Sequence, residues 1–513
     1  MEAVNQGSPA LVFIGFMGAG KSVAAREAAE ALGGEALDSD AVLEQELGMP
    51  IAAFFERHGE AEFRRREEAV AADLLDRANG AAIALGGGSL QSERVRAALQ
   101  RHTAVLLDVD PATAWSRAAG AARPLAADRE RFDELHAERQ PLYERCADAI
   151  LPAARSAVRA ALPALGALAD TPRGTRLLWA QAASGDYPVY AGAGLLESSF
   201  WPLQGRRFCV TDSTVAPLHG PAVEPLAASV VVEPGERSKT LNSAERVWRG
   251  LAQQGMTRDD HVVALGGGVV GDLAGFCAAT YQRGVPVVHV PTTLVAQVDS
   301  AYGGKTGIDL PEAKNYVGAY HQPAAVLVDP ATLLTLPGPE LASGYAEVIK
   351  TALIAGGPLW ERVREGAGGA AQPDVVLACA RAKLAVVAAD ERDDGMRQVL
   401  NLGHTVGHAI ETVTGYSRYR HGEAVGLGLL AALRLSGLDD LRQEVSALLA
   451  AHGLPVHLDD VDPAAVVAAT ARDKKRRGAG PVPFVLLDAP GSPRTGAHVA
   501  DDDLLGAVRE LAG

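Results

Sequence analysis

The sequence has few aromatic residues, few cysteines and no long uninterrupted apolar run. Phenylalanine, tyrosine and tryptophan make up 5% of its 513 residues, whereas alanine and glycine are abundant, which suits helices packed closely on a sheet. The four cysteines, Cys146, Cys209, Cys277 and Cys379, are dispersed and show no Cys-x-x-Cys spacing. This distribution argues against disulfides and cysteine-ligated zinc, and it predicts reduced core thiols in a cytosolic protein.

The sequence pattern also predicts neither a targeting segment nor a membrane span. Residues 1–9 do not combine a basic region with an apolar run, so we expect no signal peptide. Glycine or charge interrupts every apolar stretch before it reaches the thickness of a bilayer, and we therefore expect a cytoplasmic protein. The net charge of −15 argues against a nucleic-acid partner, but a local basic pocket can still bind small anions.

Length and hydrophobic pattern predict several domains. A chain of 513 residues is too long for one ordinary core. Short apolar strands alternate with helical patterns, which predicts α/β domains with parallel sheets; the strands are expected at 11–15, 81–85, 104–109, 207–211, 229–232, 261–265 and 285–290. From about Glu340 long amphipathic segments such as 374–390 and 422–436 take over. We predict an α/β domain at 1–151, a linker at 152–174, a second α/β domain at 175–338 and an all-helical part at 339–513.

The first chemical motif is a phosphate-binding loop at residues 15–22. It fits Gly-x4-Gly-Lys-Ser, and it lies between a predicted strand and a helical pattern. Its backbone amides and the helix N-terminus would bind phosphate oxygens, Lys21 would reach the outer phosphates, and Ser22 would ligate Mg²⁺. The predicted ATP contacts are Gly18, Ala19, Gly20, Lys21 and Ser22.

Two acidic residues follow at the end of the next short strand. Side chains one residue apart on a strand point to the same face, so Asp38 and Asp40 are expected to face one cleft. One carboxylate would serve the magnesium shell, and the other would orient an acceptor hydroxyl. Alone, the pair is more typical of a solvated loop.

With its further motifs, the segment from about Leu11 to Cys146 resembles the shikimate kinase family. The motifs are Glu62 to Glu67, Leu85 to Ser89, Arg123 to Leu125 and Glu138 to Tyr143. The resemblance assigns Asp38 to the magnesium shell and Arg123 to a lid over ATP, with Lys21, Asp40 and Arg123 taking part in catalysis. It places shikimate on Asp40, Arg64, Gly87 and Arg139. Val23 departs from the common threonine but leaves the Ser22 hydroxyl in place.

The second glycine-rich turn, residues 264–272, follows a predicted strand but lacks the Gly-x-Gly-x-x-Gly spacing of common dinucleotide sites. Alone it is a weak signal. The continuations at 275–284, 291–294 and 299–307 are more specific.

Glu347, His404 and His421 form a candidate metal site. His404 and His408 are four residues apart on one predicted helix face, His421 begins the next helix, and Glu347 lies on an earlier one. A single helical histidine is more often a core or surface residue than a ligand. Two histidines and a glutamate from three segments nevertheless match a catalytic zinc set, which also tolerates cobalt.

The chain from about Arg176 onward resembles the 3-dehydroquinate synthase family, including the runs at 314–323 and 401–404. The resemblance makes Glu347, His404 and His421 the zinc ligands. It places NAD⁺ on Asp212, Glu236, Lys239, Gly267, Gly268, Asp272, Thr292, Thr293 and Lys314. It places the substrate, 3-deoxy-D-arabino-heptulosonate 7-phosphate, on Arg283, Asp299, Lys305, Asn315, Lys350, Lys383, Arg397, Asn401 and His408.

The substrate explains this density of charge, because its carboxylate and phosphate require several converging cations. By resemblance, NAD⁺ oxidises one hydroxyl transiently and is regenerated, with Asp299, Lys305, Lys350, Arg397 and His408 as catalytic residues. Family members usually form homodimers through this domain. Tyr320 replaces the common phenylalanine and Asp393 the common glutamate near a proton-relay position, while Lys474 and Lys475 are two alternatives for a phosphate contact.

Two other hypotheses stay open on the sequence. A metal- and NAD-dependent polyol dehydrogenase would release NADH and has less need for Arg283, Lys305, Lys350 and Arg397 together. Alternatively, one domain has lost catalysis, although competent residues occupy all the catalytic-type positions named above.

Overall fold

The computed structural model describes residues 8–118, 128–153, 155–366, 372–471 and 482–512. The chain forms two compact units: the first contains Met1–Gln181 and Pro188–Tyr190, and the second contains Ala182–Tyr187 and Ala191–Gly513. The chain passes from the first unit to the second after Gln181, and it crosses twice more within strand β7 (Tyr187–Ala191). Among the described residues, no helix has both the length and the apolar character needed to cross a membrane.

The first unit is built on a parallel sheet in which β1 and β4 are central. The spatial order is β2-β3-β1-β4-β5-β6. The strands are β1 (Leu11–Ile14), β2 (Ala36–Asp38), β3 (Ala82–Ala84), β4 (Thr103–Asp108), β5 (Ala149–Pro152) and β6 (Arg176–Ala180). The strands predicted at 11–15, 81–85 and 104–109 are thereby confirmed.

Small side chains let the helices of this unit approach the sheet closely. Helix α1, for example, buries only alanines, Ala24, Ala25, Ala28 and Ala29. The helices are α1 (Lys21–Leu32), α2 (Ser39–Leu47), α3 (Ile51–Arg77, kinked at Gly59), α4 (Glu93–Leu99), α5 (Pro111–Ala118), α6 (Arg129–Cys146) and α7 (Arg155–Ala167). Helix α7 lies in the stretch predicted as a linker; the domain limits themselves stay a prediction.

The second unit begins with five strands that pair in parallel, in the order β14-β11-β10-β8-β9. Its strands are β8 (Arg207–Asp212), β9 (Ala228–Val232), β10 (His261–Gly266), β11 (Val287–Pro291) and β14 (Ala325–Val328), and an antiparallel hairpin is formed by β12 (Lys305–Leu310) and β13 (Ala313–Tyr320). Helices α8 (Val215–His219), α9 (Leu241–Gln253) and α10 (Gly268–Thr280) connect the strands. The four strands predicted here are confirmed.

Helices dominate the rest of the second unit. They are α11 (Gly338–Ala355), α12 (Gly357–Arg364), α13 (Pro373–Ala389), α14 (His404–Val413), α15 (His421–Leu435), α16 (Asp439–Ala451), α17 (Pro463–Thr470) and α18 (Asp501–Ala512). The prediction of helical structure is confirmed, but the expectation of helices alone is wrong. A hairpin of β15 (Phe484–Ala489) and β16 (Ser492–Ala497) turns at Pro490-Gly491, a dipeptide typical of turns.

Candidate active sites

The phosphate-binding loop lies at the carboxyl end of β1. Gly20 caps the N-terminus of α1 in a left-handed conformation (φ 91°), which glycine adopts without strain. The Lys21 ammonium donates to the carbonyls of Gly15 (2.9 Å) and Phe16 (3.1 Å), so it folds back over the loop. The amides of a helix N-terminus and an ammonium group thus face the same space, as phosphate binding requires.

A cavity of about 360 Å³ lies beside this loop. Arg117, which the sequence analysis did not single out, donates to the carbonyls of Gly18 (3.4 Å) and Ala153 (3.2 Å) at its wall. The cavity is lined by Ala19, Gly20, Val23, Ala24, Glu27, Leu107, Arg117, Ala153 and Val158. Its volume lies within the usual range for small-molecule pockets.

The second part of this site forms around the glycines that follow β3. Arg139 and Tyr143, both on α6, donate to the Gly87 carbonyl at 3.2 and 2.5 Å. Arg64 on α3 pairs at 2.6 Å with Glu67, a buried carboxylate that also accepts from Ser89. Burial raises the pKa of Tyr143 to about 12, which keeps its hydroxyl a donor. Arg64, Gly87 and Arg139 are therefore brought together, with Glu67 as a residue that the sequence analysis left unassigned.

The two acidic residues after β2 are arranged differently from the prediction. Asp38 ends the strand and caps α2, since its carboxylate accepts from the Asp40 and Ala41 amides at 3.0 and 3.4 Å. Asp40 lies in the first turn of α2, so the argument from strand alternation is wrong. Its carboxylate nevertheless lies 2.7 Å from the position that a Cβ on Gly86 would take. Arg123 lies outside the described residues.

Three helices of the second unit present the predicted metal ligands to one point. Glu347 comes from α11, His404 from α14 and His421 from α15, and one ligand atom of each lies within 4.8 Å of the others. The nearest Glu347 oxygen is 3.2 Å from His421 Nε2 and 3.5 Å from His404 Nε2. Glu347 is 1% exposed, and its second oxygen lies 2.5 Å from the Lys350 ammonium. This donor set fits a divalent cation of the zinc type.

The electrostatics at this point favour a positive charge. Burial opposes a charge on His421, yet the facing carboxylates of Glu347 and Glu411 raise its pKa to about 10. A bound divalent cation would replace the extra proton of His421 and supply the positive charge in its place.

A compact cluster of buried charges adjoins the ligands. Lys350 lies between Asp299 (2.7 Å) and Glu347 (2.5 Å), one turn along α11. Lys383 on α13 donates to the Asp299 carbonyl at 2.6 Å and also to its carboxylate. Although burial disfavours the charged form, the two ammonium groups hold the pKa of Asp299 well below its ordinary value. The cluster therefore carries fixed charge directly beside the metal ligands.

The second glycine turn lies at the carboxyl ends of β10 and β11. Gly267 caps α10, and a Cβ added to it would lie 2.9 Å from Thr293, which follows β11. Thr292 is buried, and its hydroxyl has no hydrogen-bond partner among the described residues. Asp212 ends the neighbouring strand β8. In an open parallel sheet this edge is where nucleotides bind.

An ion-pair network adjoins the turn. The buried Lys239 pairs with Asp272 (2.9 Å) and Glu236 (3.4 Å), and Lys314 lies 3.6 Å from both Glu236 and Glu411. The structure thus groups four of the residues predicted to bind NAD⁺, and it adds Glu411. The spacing of Glu411 three residues after His408 was the available sequence signal, because such positions share a helix face.

The remaining predicted substrate residues are not all in this cluster. Lys305 pairs with Asp393 at 2.6 Å, and the buried Arg397 donates to the Gly303 carbonyl at 2.9 Å. The Tyr320 hydroxyl donates to the Arg392 carbonyl at 2.8 Å.

Asn315, with φ 54°, donates its amide to Asp309 on the hairpin. Asn401 ends a short 3₁₀ helix before α14, and the His408 ring centre is 5.3 Å from that of His404. Arg283 is exposed after the C-terminus of α10, the end opposite to Gly268, and is not brought to the cluster. Lys474 and Lys475 lie outside the described residues.

Comparison with known families assigns these two sites to different parts of the chain. A shikimate kinase family model matches residues 17–165. The models for the 3-dehydroquinate synthase N-terminal and C-terminal regions match residues 229–343 and 344–476.

Individual proteins are similar to the second part of the chain. The 3-dehydroquinate synthase of Halorhodospira halophila is 43% identical over 337 residues, which cover 62% of this chain and 94% of that protein. A solved 2-deoxy-scyllo-inosose synthase, complexed with carbaglucose-6-phosphate, NAD⁺ and Co²⁺, is 25% identical with a TM-score of 0.59, over 65% of this chain and 99% of its own. A 2-epi-5-epi-valiolone synthase from Streptomyces hygroscopicus subsp. jinggangensis, with NAD⁺ and Zn²⁺ bound, is 26% identical with a TM-score of 0.58, over 63% and 96%.

Proposed function

The chain belongs to the 3-dehydroquinate synthase family, and with residues 17–165 matched by shikimate kinase we propose that it is a two-site enzyme of the shikimate pathway. The first site phosphorylates shikimate to 3-phosphoshikimate with ATP. The second converts 3-deoxy-D-arabino-heptulosonate 7-phosphate to 3-dehydroquinate and phosphate. The convergence of Glu347, His404 and His421 beside the Lys350 cluster is the observation that carries the second assignment.

In the first site, the phosphate-binding loop binds ATP, and the residues around the glycine-rich turn after β3 bind shikimate. The amides at the N-terminus of α1 and the Lys21 ammonium bind the transferring phosphate, and Ser22 with Asp38 would hold Mg²⁺. Arg64 and Arg139 bind the carboxylate of the acceptor. Asp40 orients the acceptor hydroxyl and receives its proton.

In the second site, the protein's own charges bind and orient the phosphorylated sugar acid. Lys350 and Lys383 stay close to Asp299 and present positive charge to the anionic substrate. Asp299, whose pKa is low, is a carboxylate at neutral pH and holds both ammonium groups in place. Lys305, with Asp393 as its ion-pair partner, provides a further cation.

Two groups held by these residues complete the chemistry. Glu347, His404 and His421 would hold Zn²⁺ or Co²⁺, while Gly267, Gly268, Thr292 and Thr293 would face NAD⁺. When bound, the dinucleotide supplies reversible oxidation of a hydroxyl, and the metal polarises the oxygens concerned.

The test supplies purified protein with each substrate separately. We expect ATP-dependent phosphorylation of shikimate, and we expect phosphate release from the heptulosonate phosphate without net NADH. Net accumulation of NADH would indicate a polyol dehydrogenase, and absence of phosphate release would overturn the synthase assignment. Failure of the first assay alone would overturn only the kinase assignment.

We also propose a cytoplasmic homodimer that forms through the synthase part. The exposed Arg283 supports a second copy, because it lies at the end of α10 remote from its own Lys350 cluster. The four free cysteines, three of them buried, support a reducing compartment. Light scattering after gel filtration tests the dimer, and a monomer at micromolar concentration would overturn it; cell fractionation tests the location.

A further inference from the structure

Glu411 is a buried carboxylate on α14 between the metal ligands and the dinucleotide residues. It is 4% exposed, and its side chain faces the N-terminus of α15, where His421 begins the helix. One of its oxygens lies 3.5 Å from His421 Nδ1 and 3.6 Å from the Lys314 ammonium. A buried carboxylate is stable only when such partners compensate its charge.

The two nitrogens of His421 face different carboxylates. Nε2 lies 3.2 Å from Glu347, the carboxylate of the ligand set, whereas Nδ1 faces Glu411. A histidine that ligates a metal is neutral, so one nitrogen offers a lone pair and the other carries a hydrogen. The carboxylate at Nδ1 stabilises the tautomer whose lone pair is on Nε2, towards Glu347 and His404.

The same residues also admit a second arrangement. His408, Glu411 and His421 place one ligand atom each within 4.8 Å of the others, as a cation site would. A neutral imidazole has only one lone pair, so His421 cannot ligate one cation with Glu347 and His404 and a second cation with His408 and Glu411. Lys314 already places a positive charge beside Glu411 and lies over the Tyr416 ring at 4.1 Å. These contacts favour a positioning role for Glu411 over a second ion.

We propose that Glu411 is a positioning residue, which accepts the Nδ1 hydrogen of His421 and holds the ring for the metal while Lys314 holds Glu411. The inference rests on the proposed metal site and adds an outer carboxylate to it. Outer partners of this kind commonly strengthen metal binding by roughly 10- to 100-fold, because they fix the orientation of the ring and raise the basicity of the ligand.

The test measures Zn²⁺ affinity of the full chain by competition with a chromophoric chelator, and it does not depend on turnover. We expect Glu411→Ala to weaken Zn²⁺ binding by about 10- to 100-fold. Glu411→Gln keeps an acceptor oxygen of nearly the same shape, so its loss should be smaller. Glu361→Gln, on the exposed face of α12, should bind Zn²⁺ as the unchanged chain does. A urea unfolding transition of the second unit like that of the unchanged chain reports that each variant is folded.

Unchanged Zn²⁺ affinity in both Glu411 variants would overturn the positioning role while the proposed function stands. Binding of two ions per unchanged chain, with one lost in Glu411→Ala, would also overturn it, in favour of a second cation site. If the unchanged chain binds no Zn²⁺ at all, the proposed metal site fails first, and the role of Glu411 fails with it.

Discussion

Lys350 is the residue that joins the metal ligands to the substrate-binding charges. Its buried ammonium neutralises both Glu347 and Asp299. We expect Lys350→Met to lower the free energy of unfolding by about 3–5 kcal/mol, because a buried carboxylate loses its partner. Zn²⁺ should restore part of this loss by neutralising Glu347. Urea unfolding with and without Zn²⁺ measures both effects.

A matched control removes a pair from the surface. Arg249 and Glu245 form an exposed ion pair on α9, so Arg249→Met should lower stability by less than about 1 kcal/mol. Equal losses in the two variants would contradict the account of Lys350.

Gly86 provides a second test at the residue scale. A Cβ there would lie 2.7 Å from an Asp40 oxygen and 2.8 Å from a Glu67 oxygen. Gly86→Ala should displace these carboxylates, and returning them to their places when shikimate binds should cost about 1–3 kcal/mol, or roughly a 5- to 150-fold rise in KM. Gly166→Ala, on α7 with open space around it, should leave KM unchanged. Equal KM values in both variants would contradict the placement of the acceptor site.

Residue type and spacing were enough to predict some of these site residues from the sequence, but not others. Two histidines and a glutamate from three predicted helices indicated the metal ligands, because few other functions need that set. The strand argument for Asp38 and Asp40 failed because an aspartate before a helix preferentially caps it, which ends the strand pattern. Glu67 could not be assigned, since nothing in a single sequence distinguishes a buried carboxylate from a solvated one, and for Glu411 the spacing from His408 was the one signal.

At the scale of elements, both nucleotide sites lie where a parallel strand ends and a helix begins. The pattern of β1 with α1 and of β10 with α10 is readable from apolar runs followed by glycine, and it was predicted. The hairpin of β15 and β16 was missed because a short apolar run resembles a helix segment. The placement of α13 against Asp299 depends on tertiary packing and could not be read from spacing.

His289, on strand β11, should make the stability of the protein depend on pH. Burial, with a smaller effect of His321, lowers the pKa of His289 from its ordinary value of 6.5 to about 4. Below pH 6.5 the unfolded chain takes up a proton that the folded chain refuses, so stability should fall from about pH 6.5 down to about pH 4. His289 should contribute up to about 1.4 kcal/mol per pH unit within that window.

Unfolding of His289→Asn across this interval checks the assignment. The variant should show a shallower dependence of unfolding free energy on pH than the unchanged chain. His498→Asn, at an exposed position, should retain the original slope. Parallel pH profiles for all three proteins would contradict a role for His289.

At the scale of the whole molecule, the chain contains two compact units, and each carries a site of its own. Length and the repeated α/β pattern were sufficient to predict more than one domain. The boundary was harder to place, because an Ala-rich stretch with three prolines suggests a linker although α7 forms within it. Pro163 lies inside α7, so this proline did not mark the end of a helix as the linker prediction assumed.

Independent catalysis by the two sites is the central claim, and one crossed assay of Lys21→Ala and Lys350→Met tests it directly. Lys21→Ala should lower shikimate phosphorylation by about 100- to 1,000-fold, because it removes a cation from the phosphate site, and should leave phosphate release from the heptulosonate phosphate unchanged. Lys350→Met should show the reverse. If either substitution lowered both activities together, two independent sites on one chain would be contradicted.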